Sequence, residues 1–374
     1  MGPLAGVKIV EFAGIGPAPL AAMILADMGA TVLRIDRTAP ADLGVPMAQE
    51  HEFTLRSRAV LQLDLKQPES IELALRLIEG SDAVIEGFRP GVMERLGLGP
   101  DICLQRNPRL AYGRVTGWGQ EGPLAHAAGH DLNYIALTGA LHAIGRAGQK
   151  PTPPLNLVGD YGGGALYLVT GLLAAIIAAR GTGVGQVVDA AMVDGVLSLM
   201  TPIYAMQAGG RMPGQRGENQ LDSGAHYYEV YECADGEFIS IAPIEMKFYD
   251  EFLRRMEIDP AGMPPQRERT GWAAWKSVLT ERFKTCTRDE WCRILEGTDA
   301  CFAPVLSMQE AHQHPHNQAR GAFIEVGGYR QPAPAPRFSA TKSAQPRPPG
   351  AVTVAEALSA WGLTEADVPA AGKR

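Results

Sequence analysis

Residues 7–37 read VKIVEFAGIGPAPLAAMILADMGATVLRIDR, and their pattern decides the fold. Residues 7–12 are apolar and rich in β-branched and aromatic side chains, as a buried strand requires. Gly14, Gly16, Pro17 and Pro19 follow and break the run. Residues 20–28 carry helix formers and stop at Gly29, and residues 31–35 return to strand. This is a βαβ unit, which predicts parallel strand pairing.

The pattern recurs downstream. A helix is expected over 68–79, with Ile71, Leu73, Leu75 and Leu77 among its apolar positions, and short strands over 83–85 and 110–115. Alternating strands and helices imply a mostly parallel sheet covered on both faces. A long apolar helix is expected from Asp160 to about Arg180, then a strand over 186–189 and a helix over 192–206. Residues 209–219 are rich in Gly and Arg and read as a linker. Beyond it, two alternating runs, 226–232 and 237–241, flank Ala234, Asp235 and Gly236 as a β-hairpin. Helices follow over 245–256, 271–283 and 287–295, the last opened by a Thr287 and Glu290 capping box. Residues 332–349 are Pro-rich and extended, and a short helix closes the chain at 354–361.

Composition narrows the function classes. The chain has 374 residues, long enough for two domains, with 46% hydrophobic and 20% charged residues. Net charge is −7, from 34 basic and 41 acidic residues, and no long basic run offers a nucleic-acid footprint. The five cysteines (Cys103, Cys233, Cys286, Cys292 and Cys301) are odd in number and irregularly spaced, which argues for a reducing cytoplasm and against a disulfide framework. The opening residues read as a turn and a strand rather than a signal peptide. The apolar run from 165 to 179 is shorter than the roughly 20 residues a bilayer crossing needs and is read as a core helix.

Several residues could carry chemistry. The Gly14 and Gly16 segment lacks the third glycine of a dinucleotide fingerprint, so it argues weakly for nicotinamide. His312, His314 and His316 have no cysteine or carboxylate partners to complete a metal set and are expected on a solvated loop, so no metal site is expected. His130, between Gly129 and Asp131, is a candidate base, since an imidazole ordinarily titrates near neutrality. Asp160, followed by Tyr161 and three glycines, stands where backbone N–H groups of a helix opening could stabilise an oxyanion. Read alone, it is better explained as a helix cap, and Glu245 likewise as a helix-terminus acid. Asp36 and Arg37, and Glu86 to Arg89, follow strands, where an open α/β sheet forms its ligand crevice. Arginines there suit phosphates. Met192, Met200, Met206 and Met212 could form a pliable apolar surface, or simply pack the core.

The motifs together resemble the family III CoA-transferase (CaiB/BaiF) superfamily, and within it the 2-methylacyl-CoA racemases of bacterial, mycobacterial type. The likeness is carried by the opening stretch, LDLK at 63–66, IEGFRPGVMERLGLGP at 85–100, GWGQEGP at 117–123 and GHDLNYIALTGALHAIGR at 129–146. NLVGDYGGG at 156–164, GQVVDAAMVDG at 185–195, YYEVYECADGEF at 227–238 and PAPRFS at 334–339 continue it over nearly the whole chain.

The resemblance implies an α/β fold: a Rossmann-like large domain (1–186 plus 330–374), a linker with a helix (187–221), a smaller α+β domain (222–315) and a return linker (316–329). It also implies an interlocked homodimer whose active sites are shared between subunits. CoA would arrive as part of an acyl-CoA substrate, with no separate cofactor, metal, nucleic acid or membrane. By motif, Arg37 would sit by the adenosine phosphates. Gln62, Leu63, Asp64, Leu65, Glu86, Gly87, Phe88 and Arg95, with Arg89, would line the nucleotide. Gly129, Asp131 and Tyr134 would hold the pantetheine end. His130, Asp160 and Glu245 match the racemase acid/base set, Glu245 coming from the other subunit. The alternative is a CoA-transferase using Asp160 as nucleophile.

Overall fold

The computed structural model describes residues 2–39, 44, 45 and 47–369; the remaining positions of the expected large domain lie outside the described residues. In chain order, the first unit builds β1 (Lys8–Phe12), α1 (Pro17–Asp27), β2 (Thr31–Asp36), β3 (Ala59–Gln62), α2 (Pro68–Glu79), β4 (Ala83–Glu86), α3 (Val92–Arg95), α4 (Pro100–Arg106), β5 (Ala111–Thr116) and α5 (Asp131–Leu137). A short α6 (Ala140–Ala143) belongs to the second unit. Back in the first unit, a π-helical segment, Leu157–Ala165, runs into α7 (Leu166–Thr182), followed by β6 (Gln186–Ala191) and α8 (Met192–Leu199).

The six strands form one sheet in the order β3-β2-β1-β4-β5-β6, every pair parallel. Strand alternation sorts the core: Ile9, Ile85 and Val115 pack with Leu25 of α1 and Leu172 of α7 on one face. Val10, Phe12, Val84 and Tyr112 pack with Leu73 and Leu77 of α2 on the other. Glycines set the spacing of α7. A side chain at Gly113 of β5 would collide with Leu168 and Leu172, and one at Gly171 would run into Val188 of β6. A polar cluster interrupts the core where Glu11, at 0% exposure, pairs with Arg34 at 2.9 Å and with Arg58.

The second unit continues with α9 (Thr201–Ala208), β7 (Glu229–Glu232), β8 (Phe238–Ile241), α10 (Met246–Arg255), α11 (Trp272–Phe283), α12 (Arg288–Leu295), β9 (Phe302–Pro304), α13 (Met308–Ala311) and α14 (Pro315–Ala319). Strands β7, β8 and β9 form an antiparallel sheet over a core of Tyr231, Tyr249, Phe252, Trp275, Phe283 and Trp291. The Thr287 and Glu290 capping box forms, with the Thr287 N–H donating to Glu290 at 2.8 Å. The chain then rejoins the first unit with the hairpin β10 (Phe323–Val326) and β11 (Tyr329–Pro332) and with α15 (Val354–Ser359). After α15, Trp361 donates from its indole to the Leu77 carbonyl at 2.8 Å, docking this segment onto α2.

The compact units are 1–138, 154–200 and 321–374, and 139–153 with 201–320. The expected linker over 187–221 therefore divides. Its first residues, 187–191, belong to the sixth strand, bonded along β5, and α8 buries Met192 and Val196 in the first unit. The expected helix over 192–206 is two helices that part at Met200, just before Pro202. The expected return linker over 316–329 holds α14 and most of the β10–β11 hairpin. Pro315 opens α14, and His314 pairs with Glu296 at 2.8 Å instead of lying on a solvated loop. Among the described residues no His, Cys, Asp and Glu cluster could hold a metal. Leu157–Thr182 is long and apolar enough to cross a membrane by composition, yet half of its most apolar window is buried in the fold. All five cysteines are free thiols.

Candidate active site

The strand order reverses between β1 and β4, and the ends of parallel strands at such a switch point form a crevice. A cavity of about 540 Å³ opens there. Its walls are Gly16 and Pro17 after β1, Gly87, Phe88, Arg89 and Pro90 after β4, Gly117 and Trp118 after β5, and Gly129, His130, Tyr134, Asp160 and Met192.

His130 is the exposed residue that caps α5, with its backbone N–H donating to the Asn133 side chain at 3.1 Å. Tyr134, one turn on, donates its hydroxyl to the Gly129 carbonyl and meets the Trp118 ring edge to face at 4.8 Å. This aromatic pair walls the cavity next to His130.

Asp160 lies within the π-helical segment, because the helix starts at Leu157, three residues earlier than expected. π-turns insert an extra residue per turn and recur at functional sites. Glycines make this one possible. A side chain at Gly163 would enter Val196, and one at Gly195 of α8 would enter the Gly163 carbonyl, so the two segments cross almost backbone to backbone. The Asp160 carboxylate accepts from the Asn156 side-chain amide at 3.2 Å. Below it sits Gly16, at φ 67° and ψ −114°, whose missing Cβ would lie 3.0 Å from Asp160 Oδ2. Burial raises the Asp160 pKa above the usual carboxylate range; the Asn156 bond and His130 oppose the shift, and nearby Asp131 adds to it.

The expectation that helix-opening N–H groups near Asp160 are free is corrected. The Asp160 N–H donates to Asp131 Oδ2 at 2.7 Å, and that of Tyr161 points back to the Asn156 carbonyl at 3.3 Å.

Two further cavities lie at the ends of β2 and β3. One of about 350 Å³ is lined by Arg34, Asp36, Arg37 and Gln62; another of about 860 Å³ is lined by Asp36, Gln62, Val354 and Glu365. Arg37 is exposed there, as a phosphate contact requires.

Other expected nucleotide contacts fall elsewhere. Leu63 is fully buried in the core and the partly buried Leu65 packs beside it, and neither lines the three cavities described above. Asp64 turns back to accept from the Lys66 N–H at 3.1 Å and from Gln67. Glu86, at 0% exposure, accepts from Arg114 at 2.7 Å and from the Phe88 N–H at 2.8 Å, so it braces the loop that carries Phe88 and Arg89. Arg95 is exposed at the end of α3, away from these cavities. Asp131 is 6% exposed and lies beneath Asp160 rather than in the wall. Glu245 precedes α10 in the second unit and is exposed, its carbonyl accepting from the Phe248 and Tyr249 N–H groups. Of the four methionines singled out, Met192 reaches the cavity.

Sequence reasoning missed Asn156, Trp118 and Arg114. Asn156 stands in the quoted NLVGDYGGG motif, four residues before Asp160, a spacing that brings side chains together on a helix.

The chain is similar to known proteins along nearly its whole length. A mouse protein named alpha-methylacyl-CoA racemase is 40% identical over 369 residues, covering 98% of this chain and 95% of its own. A human protein of that name is 42% identical over 322 residues, 86% of this chain and 82% of its own. The crystal structure of a CaiB/BaiF family protein from Brucella suis superposes with a TM-score of 0.81 at 24% identity, covering 96% of this chain and 98% of that one, and shares the fold. A family model described as CoA-transferase family III matches residues 4–351, and the chain belongs to that family.

Proposed function

We propose that the chain interconverts the R and S forms of 2-methylacyl-CoA thioesters by moving the proton on the carbon next to the thioester carbonyl. One observation carries the reading: His130 and Asp160, two groups able to take and give a proton, line one cavity at the sheet's switch point. The mouse and human relatives' names support the choice of substrate.

Inversion requires removing a proton from one face and returning one to the other. In one direction the His130 imidazole takes the α-proton, and the C–H electron pair forms the enolate carbon–carbon double bond as charge moves to the thioester oxygen. Protonated Asp160 then delivers its proton to the opposite face as the carbonyl reforms. The reverse direction exchanges the roles. Burial favours the protonated form of Asp160, which suits a group that must act as an acid in half of the turnovers.

CoA would lie along the strand ends. Its phosphates would meet Arg37 and Arg89, its nucleotide would lie by Gln62, and its pantetheine arm would run past Gly87, Phe88, Gly129 and Tyr134. The partner subunit's Glu245 would orient the His130 imidazole in a homodimer. The reaction needs no separate cofactor, and the free thiols fit a cytoplasmic setting.

The test is proton NMR in D₂O with one epimer of 2-methyldecanoyl-CoA and no acceptor acid. Deuterium at the α-carbon and formation of both epimers with the thioester intact is the expected result. Absence of exchange, with CoA moving onto an added carboxylic acid, would overturn it in favour of Asp160 as a transferase nucleophile.

A further inference from the structure

The Asp131 side chain points into the protein. It is 6% exposed, its Oδ2 accepts the Asp160 N–H at 2.7 Å, and its Oδ1 is buried with no partner. Gly159 leaves room for it, since a Cβ there would lie 2.8 Å from the Asp131 Cγ. A buried carboxylate that spends one oxygen on a single backbone N–H and leaves the other bare is costly, and such groups are kept where they do something else. The peptide it holds is the one that places Asp160, in the first turn of the π-segment, where backbone N–H groups have no acceptor within the helix.

The geometry points to Asp131 as a positioning residue for the proton transfer: its carboxylate clamps the π-turn so that Asp160 faces the cavity, and its charge helps keep the proton on Asp160. This rests on the acid/base role proposed for Asp160. It differs from the contact with CoA that the sequence motif implies for Asp131.

The charged and titratable groups around Asp160 are few. The α5 end supplies His130, Asp131 and Tyr134, the π-segment itself supplies Tyr161, and the loop after β4 brings the cation Arg89 to the cavity wall. Helix α1 carries one charged residue, Asp27, at its far end and paired with Arg56, and α7 carries Tyr167 in its first turn and Arg180 in its last. Helix α8 brings the exposed Asp194. Strand β5 brings Arg114, occupied by Glu86 and Glu94, and β6 brings Asp189, which accepts the Gln120 N–H. Asp131 is therefore the neighbouring negative charge that reaches Asp160.

The experiment compares Asp131→Asn and Asp131→Ala with wild type in the α-proton exchange assay across pH, alongside hydrogen exchange of the 157–165 segment. Asp131→Asn keeps an acceptor for the Asp160 N–H but loses the charge. Its exchange protection should match wild type while the acid limb of kcat/KM moves to lower pH; that limb belongs to the coupled His130 and Asp160 pair. Asp131→Ala should lose protection in the segment and lower kcat by about tenfold to a hundredfold, as misplacement of a reacting group does, with KM nearly unchanged. An unmoved pH profile in Asp131→Asn, or a rise in KM alone in Asp131→Ala, would overturn the proposal. If wild type itself exchanges no proton, the racemase reading fails first, and unchanged protection in Asp131→Ala then removes the clamp as well.

Discussion

Replacing Gly16 by alanine joins the backbone of the first βα turn to the chemistry. Gly16 sits at φ 67° and ψ −114°, a combination open to glycine and strained for a residue with a Cβ. Holding alanine there costs about 1–3 kcal/mol, a fall of roughly 2–10 °C in Tm for a unit of this size. The added methyl carbon would also lie 3.0 Å from Asp160 Oδ2 and 3.4 Å from its Cγ, tighter than ordinary van der Waals contact, so the carboxylate must give way by a few tenths of an ångström. Since a 1 Å misplacement can cost about a hundredfold, a shift of this size should lower kcat by roughly threefold to tenfold. Thermal melting reads the first effect and deuterium incorporation at the α-carbon the second. A double-mutant cycle with Asp160→Ala separates them: the strain persists without the carboxylate, while the crowding does not. A Gly16→Ala protein with wild-type Tm and kcat within twofold of wild type would refute the close approach of this turn to Asp160.

Other outcomes follow from the same structure. His130→Ala and Asp160→Ala should each reduce exchange by about 10²–10⁴-fold with circular dichroism unchanged, because each removes one acid/base group. Glu11→Ala should destabilise the protein by about 3–5 kcal/mol in denaturant titration, since it strands Arg34 and Arg58 as buried charges without their shared carboxylate. Burial, reinforced by the nearby Lys276, pushes the His226 pKa down to about 3. As pH falls below about 6.5 the unfolded chain takes up this proton and the folded one does not, so the second unit should lose stability toward pH 4 by about 1.4 kcal/mol per pH unit at most. His226→Gln should flatten that part of the pH–stability curve. Gly195→Ala drives a methyl into the Gly163 carbonyl and should cost about 1–3 kcal/mol, with activity falling as the π-turn shifts.

Much of the architecture was legible from local pattern. The βαβ opening, the apolar helix before β6, the hairpin around Ala234, Asp235 and Gly236 and the cap at Thr287 all follow from periodicity and turn chemistry, which act over a few residues. Strand β3 and the β10–β11 hairpin escape that reading. Each of these three strands is four residues long, too short for periodicity to tell it from a loop or a helical turn, and is stabilised by the neighbour it pairs with. The boundary of the first unit escapes it too, because β6 becomes a sheet strand only through pairing with β5, some 75 residues earlier in the chain.

The candidate site divides along the same line. By itself the sequence determined which side chains could carry a proton and, through its motifs, which family they belong to, since both are properties of residue type and order. Which of them meet was decided by tertiary structure. Packing brought His130 and Asp160 to one cavity, drew Leu63 and Glu86 into the interior and turned Asp131 beneath Asp160. The physical reason lies in burial and close approach. The Gly163 and Gly195 crossing, the bare Gly16 and the bond from the Asp160 N–H to Asp131 place atoms that are far apart in sequence, and no local preference encodes those distances.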